Sequence, residues 1–439
     1  MIKKRVKNMK KAITKIKAIA ILVIVIVAIV AGVAIYFITK PPEIIKLRFA
    51  MFGAPPEISV YKDMLIPAFE KKYPNIKVEL EIYPHEEYLS KMMADFAAGT
   101  LPDVMKQMDV EILSMVKGGL FRPLDEFIED REIGINKGDF FPACWKLPGL
   151  VYEGKTYGIP IDFLTFALYY NPELFKKAGL DPDKPPRNWD EIFSYSQALA
   201  KVTKYGFSIP GWDMPWFNFL YQAGGTVWEW SNGKAIGPAF NKDPGVRSLS
   251  FLADMIHKYK IAYPNIWGET PPLTLLAKGE LAMLIDGPWQ IAAIKMDFPE
   301  FVGTFRTAPL PVGPAGPGNC LFGSAFGVGA TTKHPREAWL LVKEITSEEN
   351  QRNWAIKTGI SPPSRKTVFD ELIRTEPRFE AFVITPEEAR TEFYIEKFPA
   401  FRDIITPELQ SVYNPKIMKD PKKALDDAAS RAIKEIFGG

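Results

Sequence analysis

Four tryptophans, Trp212, Trp216, Trp228 and Trp230, fall within 19 residues, in a stretch that also holds Asp213, Asn218 and the pair Gly224-Gly225. A fifth, Trp289, follows the turn sequence Asp286-Gly287-Pro288, and Tyr394, Phe398 and Phe401 gather near the end of the chain. The face of an aromatic ring is partly negative and stacks on the weakly positive C–H faces of a sugar. Carboxylates and amides beside such a ring accept hydrogen bonds from hydroxyls, the ionised groups most strongly. Rings interleaved with Asp and Asn are therefore what a carbohydrate site needs. The competing place for each ring is the hydrophobic core. Trp289 favours the ligand role, because it sits in a turn just past a strand. On this chemistry Trp212, Asp213, Trp216, Trp289 and Tyr394 are candidate ligand-binding residues.

Catalytic signatures give no comparable signal. His85, His257 and His334 are the three histidines, and no two have metal-ligand spacing. There is no G-x-S-x-G, no P-loop and no G-x-G-x-x-G opening a helix after a strand. A glycosidase pair of carboxylates can come from distant segments, but among 52 acidic residues finding two proves nothing. No catalytic residue, cofactor or metal is assigned, and a membrane-tethered polysaccharide-active enzyme is the minor alternative. Cys144 and Cys320 form no redox motif; they are two buried thiols or, in an oxidising compartment, a single bridge.

The elements that must position these residues alternate. Leu47 to Met51 reads as a strand, Tyr61 to Tyr73 as a helix with Met64, Leu65, Ala68 and Phe69 on one face, and Val78 to Ile82 as a second strand. Strand, helix and strand in that span make a parallel βαβ unit. Pro102 to Met105 follows as a short buried strand, and Glu111 to Lys117 as a helix closed by Gly118-Gly119. A second set comprises a strand at Thr165 to Tyr170, helices at Pro172 to Ala178 and Trp189 to Val202, a short helix at Leu273 to Lys278 and a strand at Leu281 to Ile285. Helices at Pro335 to Thr346 and Lys422 to Ile436 close the chain. This is an α/β architecture with more than one sheet, hence two lobes. Ligands of such folds sit beyond the carboxyl ends of strands and between domains.

The N-terminus differs from the rest. Residues 1–40 hold nine Lys or Arg and no acid, which leaves 46 basic against 52 acidic side chains in the remainder. An acidic body excludes a nucleic-acid partner, which needs a positive stripe. Ala18 to Ile38 is apolar throughout and spans roughly 31 Å as a helix, the thickness of a bilayer core. Eight Lys/Arg precede it, so the N-terminus stays in the cytoplasm and the rest lies outside. A cleaved signal peptide is the alternative, although no A-x-A-like site follows the run. Either way the body is extracytoplasmic.

Several segments, taken in order, resemble family 1 extracellular solute-binding proteins, the group that includes maltose-binding protein. They are Ala98-Gly99-Thr100-Leu101-Pro102-Asp103-Val104, Gly118 to Asp125, Tyr152 to Pro160, Tyr170 to Leu180, Asn188-Trp189-Asp190-Glu191 and Lys278 to Met283 leading to Gly287-Pro288-Trp289. Phe322 to Val328, Gly359 to Pro363 and Ala424 to Ala428 complete the set, and the likeness covers residues 46–438. The resemblance implies a two-lobed periplasmic-binding-protein-like α/β fold (type II), whose lobes rotate about crossover hinge segments, here with an N-terminal transmembrane helix added. Crossovers are expected near Asp162 to Phe166, Ser324 to Val328 and Ile345 to Gln351. The division is then residues 1–42 for stub, anchor and linker, 43–162 plus 327–345 for the first lobe, and 166–322 plus 348–439 for the second. By resemblance Trp289 is the stacking residue, Gln107 and Asp109 are polar contacts after a strand, Asp162 lies at a crossover, and Glu57 and Gly323 line the cleft. The implied function is capture of a mono- or oligosaccharide for an ABC importer. Its partners would be the permease subunits and, through residues 18–38, the membrane, with a monomeric ectodomain outside the cell. The same fold holding a non-sugar solute, such as a phosphorylated polyol or peptide, is the main alternative.

Overall fold

Leu47, Phe49 and Met51 point into one core and Ala50 into another, so the first strand is buried on both faces, as parallel strands covered by helices are. The computed structural model describes residues 43–438, together with residues 2–4, 7, 9, 22 and 25. The expected membrane span at 18–38 falls, but for residues 22 and 25, outside the described residues. Among those described, no helix is long and apolar enough to cross a membrane.

The first lobe is built on strands β1 (Ile45–Met51), β2 (Ile76–Ile82) and β3 (Val104–Met108), with helix α1 (Pro55–Val60) after β1 and α2 (Asp109–Lys117) after β3. Two short strands, β4 (Ile159–Pro160) and, far along the chain, β9 (Ser324–Val328), finish a five-stranded sheet of order β2-β1-β3-β9-β4. The first three strands are parallel and β9 runs against β3 and β4. In the second lobe β5 (Ala167–Tyr170), β6 (Tyr205–Ser208), β7 (Leu281–Asp286) and β8 (Arg306–Pro309) form a sheet of order β8-β5-β7-β6. There β7 is parallel to β6 and antiparallel to β5. Each lobe has its own core, one around Leu47, Phe49 and Trp339, the other around Trp216, Trp228 and Phe401.

Residues 161–166 join β4 to β5, and 321–323 return to β9. The two crossings pair as a ribbon: Leu164 and Phe322 exchange backbone hydrogen bonds of 2.7 and 3.0 Å. A third segment lies alongside, with Phe163 N donating to Pro362 O at 3.2 Å and Ser364 N to Ile161 O at 2.9 Å. This third segment, 361–364, lies along the hinge, and with Val368 still in the first lobe's core the chain crosses after it rather than at the expected 345–351. The helix Glu348–Thr358, expected in the second lobe with the rest of 348–439, packs on α1 instead. Its Trp354 and Ala355, and Val368 beyond it, share the core of Leu47. Their apolar side chains find the first lobe's sheet before the chain crosses.

The sequence-read helices at 189–202 and 422–436 appear as Trp189–Leu199 and Pro421–Glu435, each opened by a side chain that accepts a backbone N–H, Asn188 and Asp420 respectively. Cys144 and Cys320 are free and buried.

Candidate functional site

Strand direction decides what meets what. In the first sheet β1 and β3 end at Met51 and Met108, while antiparallel β9 begins beside Met108, at Ser324. In the second sheet β6 and β7 end at Ser208 and Asp286, and β5 begins opposite Asp286, at Ala167. The crossings 161–166 and 321–323 leave from these same ends. Both lobes thus turn their strand ends toward the hinge.

The second lobe's end is aromatic. Phe166, immediately before β5, has its ring centroid 5.7 Å from Trp212, 6.3 Å from Trp289 and 5.6 Å from Phe322. Trp289 and Phe322 lie 5.8 Å apart. Trp212 and Trp289 remain partly exposed. The Trp289 ring packs against Gly287, where an added Cβ would fall 2.1 Å from it, so only glycine lets the ring settle there. Gly287 is pinned further: its N–H donates to Asp286 Oδ1 at 2.7 Å and its carbonyl accepts from Tyr169 Oη at 2.7 Å. Gln290 Nε2 donates to the other Asp286 oxygen at 2.7 Å. Burial disfavours the charged carboxylate and pushes the Asp286 pKa up to about 7. Beside Trp212, Asp213 is fully buried and its pKa is raised by desolvation against the opposing pull of Arg402. Arg402 Nε donates to Asp213 Oδ1 at 3.3 Å, and its guanidinium stands 5.7 Å from the Trp212 ring centre. Among the described residues Asp213 Oδ2 has no hydrogen-bond partner.

The first lobe's end is polar. Glu57, in the first turn of α1, accepts from Lys106 Nζ at 2.6 Å, with both side chains under a tenth exposed. The same ammonium donates to Phe52 O at 3.2 Å and stands 4.9 Å from the Phe52 ring centre. At the hinge, Asp162 Oδ1 accepts from Ser324 N at 2.6 Å and Oδ2 from Ser361 Oγ at 2.8 Å. One carboxyl thereby ties three hinge segments together. Desolvation raises its pKa to about 6 despite those bonds. Gly323 packs on it, for a Cβ there would fall 2.8 Å from Asp162 O. Away from the crossings in sequence the lobes also touch, where Ser114 Oγ on α2 donates to Glu396 O at 2.7 Å.

Of the ten residues singled out in the sequence, the structure brings Trp212, Asp213 and Trp289 together on the second lobe and sets Glu57 on the first. Asp162 and Gly323 stand at the hinge, where both Asp162 oxygens are engaged by the protein itself. Three others are core residues and correct the expectation. Trp216 is fully buried and donates its indole N–H to Ser248 Oγ at 3.0 Å. Tyr394 is buried against Phe393 and Phe398. Gln107 has no exposed surface; it donates to Tyr157 O at 3.1 Å and is wedged against Gly158 and Gly327, where a Cβ would strike its amide. Asp109 opens α2, and its side chain lies outside what is described. Sequence reasoning missed Phe166, Phe322, Lys106 and Arg402. Lys106 carried a legible signal, a lone charge inside the apolar strand Val104-Met105-Lys106-Gln107-Met108, which demands a buried partner. No group of side chains able to hold a metal occurs among the described residues.

Two α/β lobes joined by three crossings, with strand ends facing across them, define a hinged receptor for a small solute. The bacterial extracellular solute-binding protein model matches residues 54–352, and the chain belongs to that family. It is similar over most of its length to a putative binding protein of Brucella abortus, 26% identical over 414 residues, covering 92% of this chain and 96% of that one. It is also similar to the sn-glycerol-3-phosphate-binding periplasmic protein of Salmonella typhimurium, 27% identical over 400 residues, with 85% and 89% covered. Among solved structures, an ABC transporter solute-binding protein of Thermotoga lettingae bound to α-D-tagatose superposes with a TM-score of 0.72 at 25% identity, covering 89% and 99%. A sugar-binding protein of Xanthomonas citri reaches 0.76 at 20% identity, over 88% and 96%, and shares the fold. The family is one of extracytoplasmic binding proteins rather than enzymes.

Proposed function

We propose that this protein captures a neutral carbohydrate between its lobes and delivers it to an ABC importer. The carrying observation is the aromatic group Phe166, Trp212, Trp289 and Phe322 at the strand ends of one lobe, facing the polar strand ends of the other. The partly exposed rings of Trp212 and Trp289, backed by the buried Phe166 and Phe322, supply stacking area for a sugar, while Asp213, buried beside Trp212, is held by Arg402. Charge favours a neutral ligand over a phosphorylated one. Lys106 and Arg402, two cations at these ends, already hold Glu57 and Asp213. The Thermotoga and Salmonella relatives, which bind tagatose and glycerol phosphate, bracket the choice. The apolar run at 18–38 behind eight basic residues supports a membrane tether with the body outside the cell.

Calorimetric titration with neutral mono- and oligosaccharides and with sn-glycerol 3-phosphate tests the reading. A neutral sugar should bind, and Trp289→Ala should weaken it by ~1–3 kcal/mol, the range for ring stacking on an aromatic side chain. Tighter binding of the phosphate than of any sugar overturns the proposal.

A further inference from the structure

The second lobe's sheet is extended by a segment that carries no strand of its own. Gly206 N donates to Ile261 O at 2.8 Å and Tyr263 N to Phe207 O at 2.8 Å, with Phe207 bridged in parallel to Ala262. Residues 261–265 thus run alongside β6 in the same direction and leave the sheet at the same end. That end carries Trp289 after β7 and Trp212 after β6. The chain leaving the added edge turns at once, Glu269 N donating to Ile266 O at 3.2 Å, with Gly268 at φ +85°. The corner residue of this turn is Trp267, 69% exposed. A positive φ at the third position suits glycine, but nothing in turn geometry asks for tryptophan before it.

The corner is held to the sugar-facing end. Gln410 Oε1 accepts from Trp267 N at 2.8 Å, while its Nε2 donates to Gly211 O and, at 3.4 Å, to Asn265 O. Gly211 lies so close to Asn265 that a Cβ would meet its carbonyl at 2.0 Å. Gly211 precedes Trp212, so one glutamine fixes the backbones carrying both rings. Three tryptophans therefore follow two neighbouring strands and the segment paired to their edge, and exposure is greatest at the outermost. Neighbouring strands are about 4.8 Å apart, so the row spans roughly 10 Å, wider than a single sugar ring.

We infer that Trp267 is an outer stacking platform, and that the ligand is an oligosaccharide extending from Trp289 past Trp212 to the edge of the lobe. This rests on the carbohydrate reading above. The full chain, purified in detergent micelles, is titrated with malto-, cello- and manno-oligosaccharides of one to four units. The affinity for the preferred series should rise with length. Trp267→Ala should lower affinity for the longest sugar by about tenfold, a single stacking interaction's worth, and for the single ring less than twofold. Trp289→Ala should lower every length. A uniform loss with Trp267→Ala, or none at any length, overturns the platform while sugar binding stands. Absence of binding by every sugar overturns both.

Discussion

At their facing ends both lobes hold an ion pair, but the second lobe also buries a carboxyl with no cation beside it. In the first, Lys106 and Glu57 are buried together and satisfy each other across 2.6 Å. In the second, the Asp286 carboxyl is held by a backbone N–H and an amide, and burial brings its proton into the neutral range. A buried ion pair is a fixed strut: intact, it contributes little net stability, but removal of one partner leaves a charge stranded. A lone buried carboxyl keeps its fold by taking up a proton. The polar lobe is therefore sensitive to substitution, and the turn that holds Trp289 on the aromatic lobe is sensitive to pH.

Breaking the strut gives the largest effect. Lys106→Met leaves Glu57 unpaired in the interior and should cost about 3–5 kcal/mol in chemical denaturation. The double variant with Glu57→Gln should recover most of that loss. If the single variant is as stable as the parent, the contrast between the lobes fails on the polar side.

The pH dependence is the smaller effect, on the order of 2–4 kcal/mol for a carboxyl moved this far. The folded pKa of Asp286 lies above its unfolded value. Its contribution to stability is therefore complete below the ordinary carboxyl range and disappears as pH rises through about 7. Asp286→Asn keeps an acceptor for Gly287 N–H and removes the proton. Denaturation between pH 4 and pH 8 should show the parent losing stability relative to the variant across that window. Asp162 titrates near 6 in both proteins and cancels from the difference. Parallel curves would remove the distinction on the aromatic side.

Much of this architecture was legible in the chain. Strands with period-two or continuous apolar patterns, such as Leu47 to Met51 and Leu281 to Ile285, lie where the pattern put them, because burial on a sheet writes itself into alternate residues. Trp289 was readable from its turn. The helix Asp213–Gln222 was not, since every one of its residues is buried and no polar face marks a period. That is also why Trp216 passed for a ligand residue: inside a helix buried all round, ring chemistry cannot tell core from cleft. Phe166 and Phe322 bordered recognised crossovers, but their meeting depends on two segments more than 150 residues apart. Arg402 sits on Phe398–Tyr413, a helix that no local signal announced, and only tertiary packing brings it to Trp212.

The central claim is that a sugar lies between the two sets of strand ends. A crystal structure of residues 43–438 grown with the tightest-binding neutral sugar of the panel tests it most directly. The expected result is a sugar ring stacked on Trp289 and flanked by Trp212, with first-lobe groups near Glu57 and Met108 closing over it. A sugar bound on any other surface, with the facing strand ends empty, would contradict it.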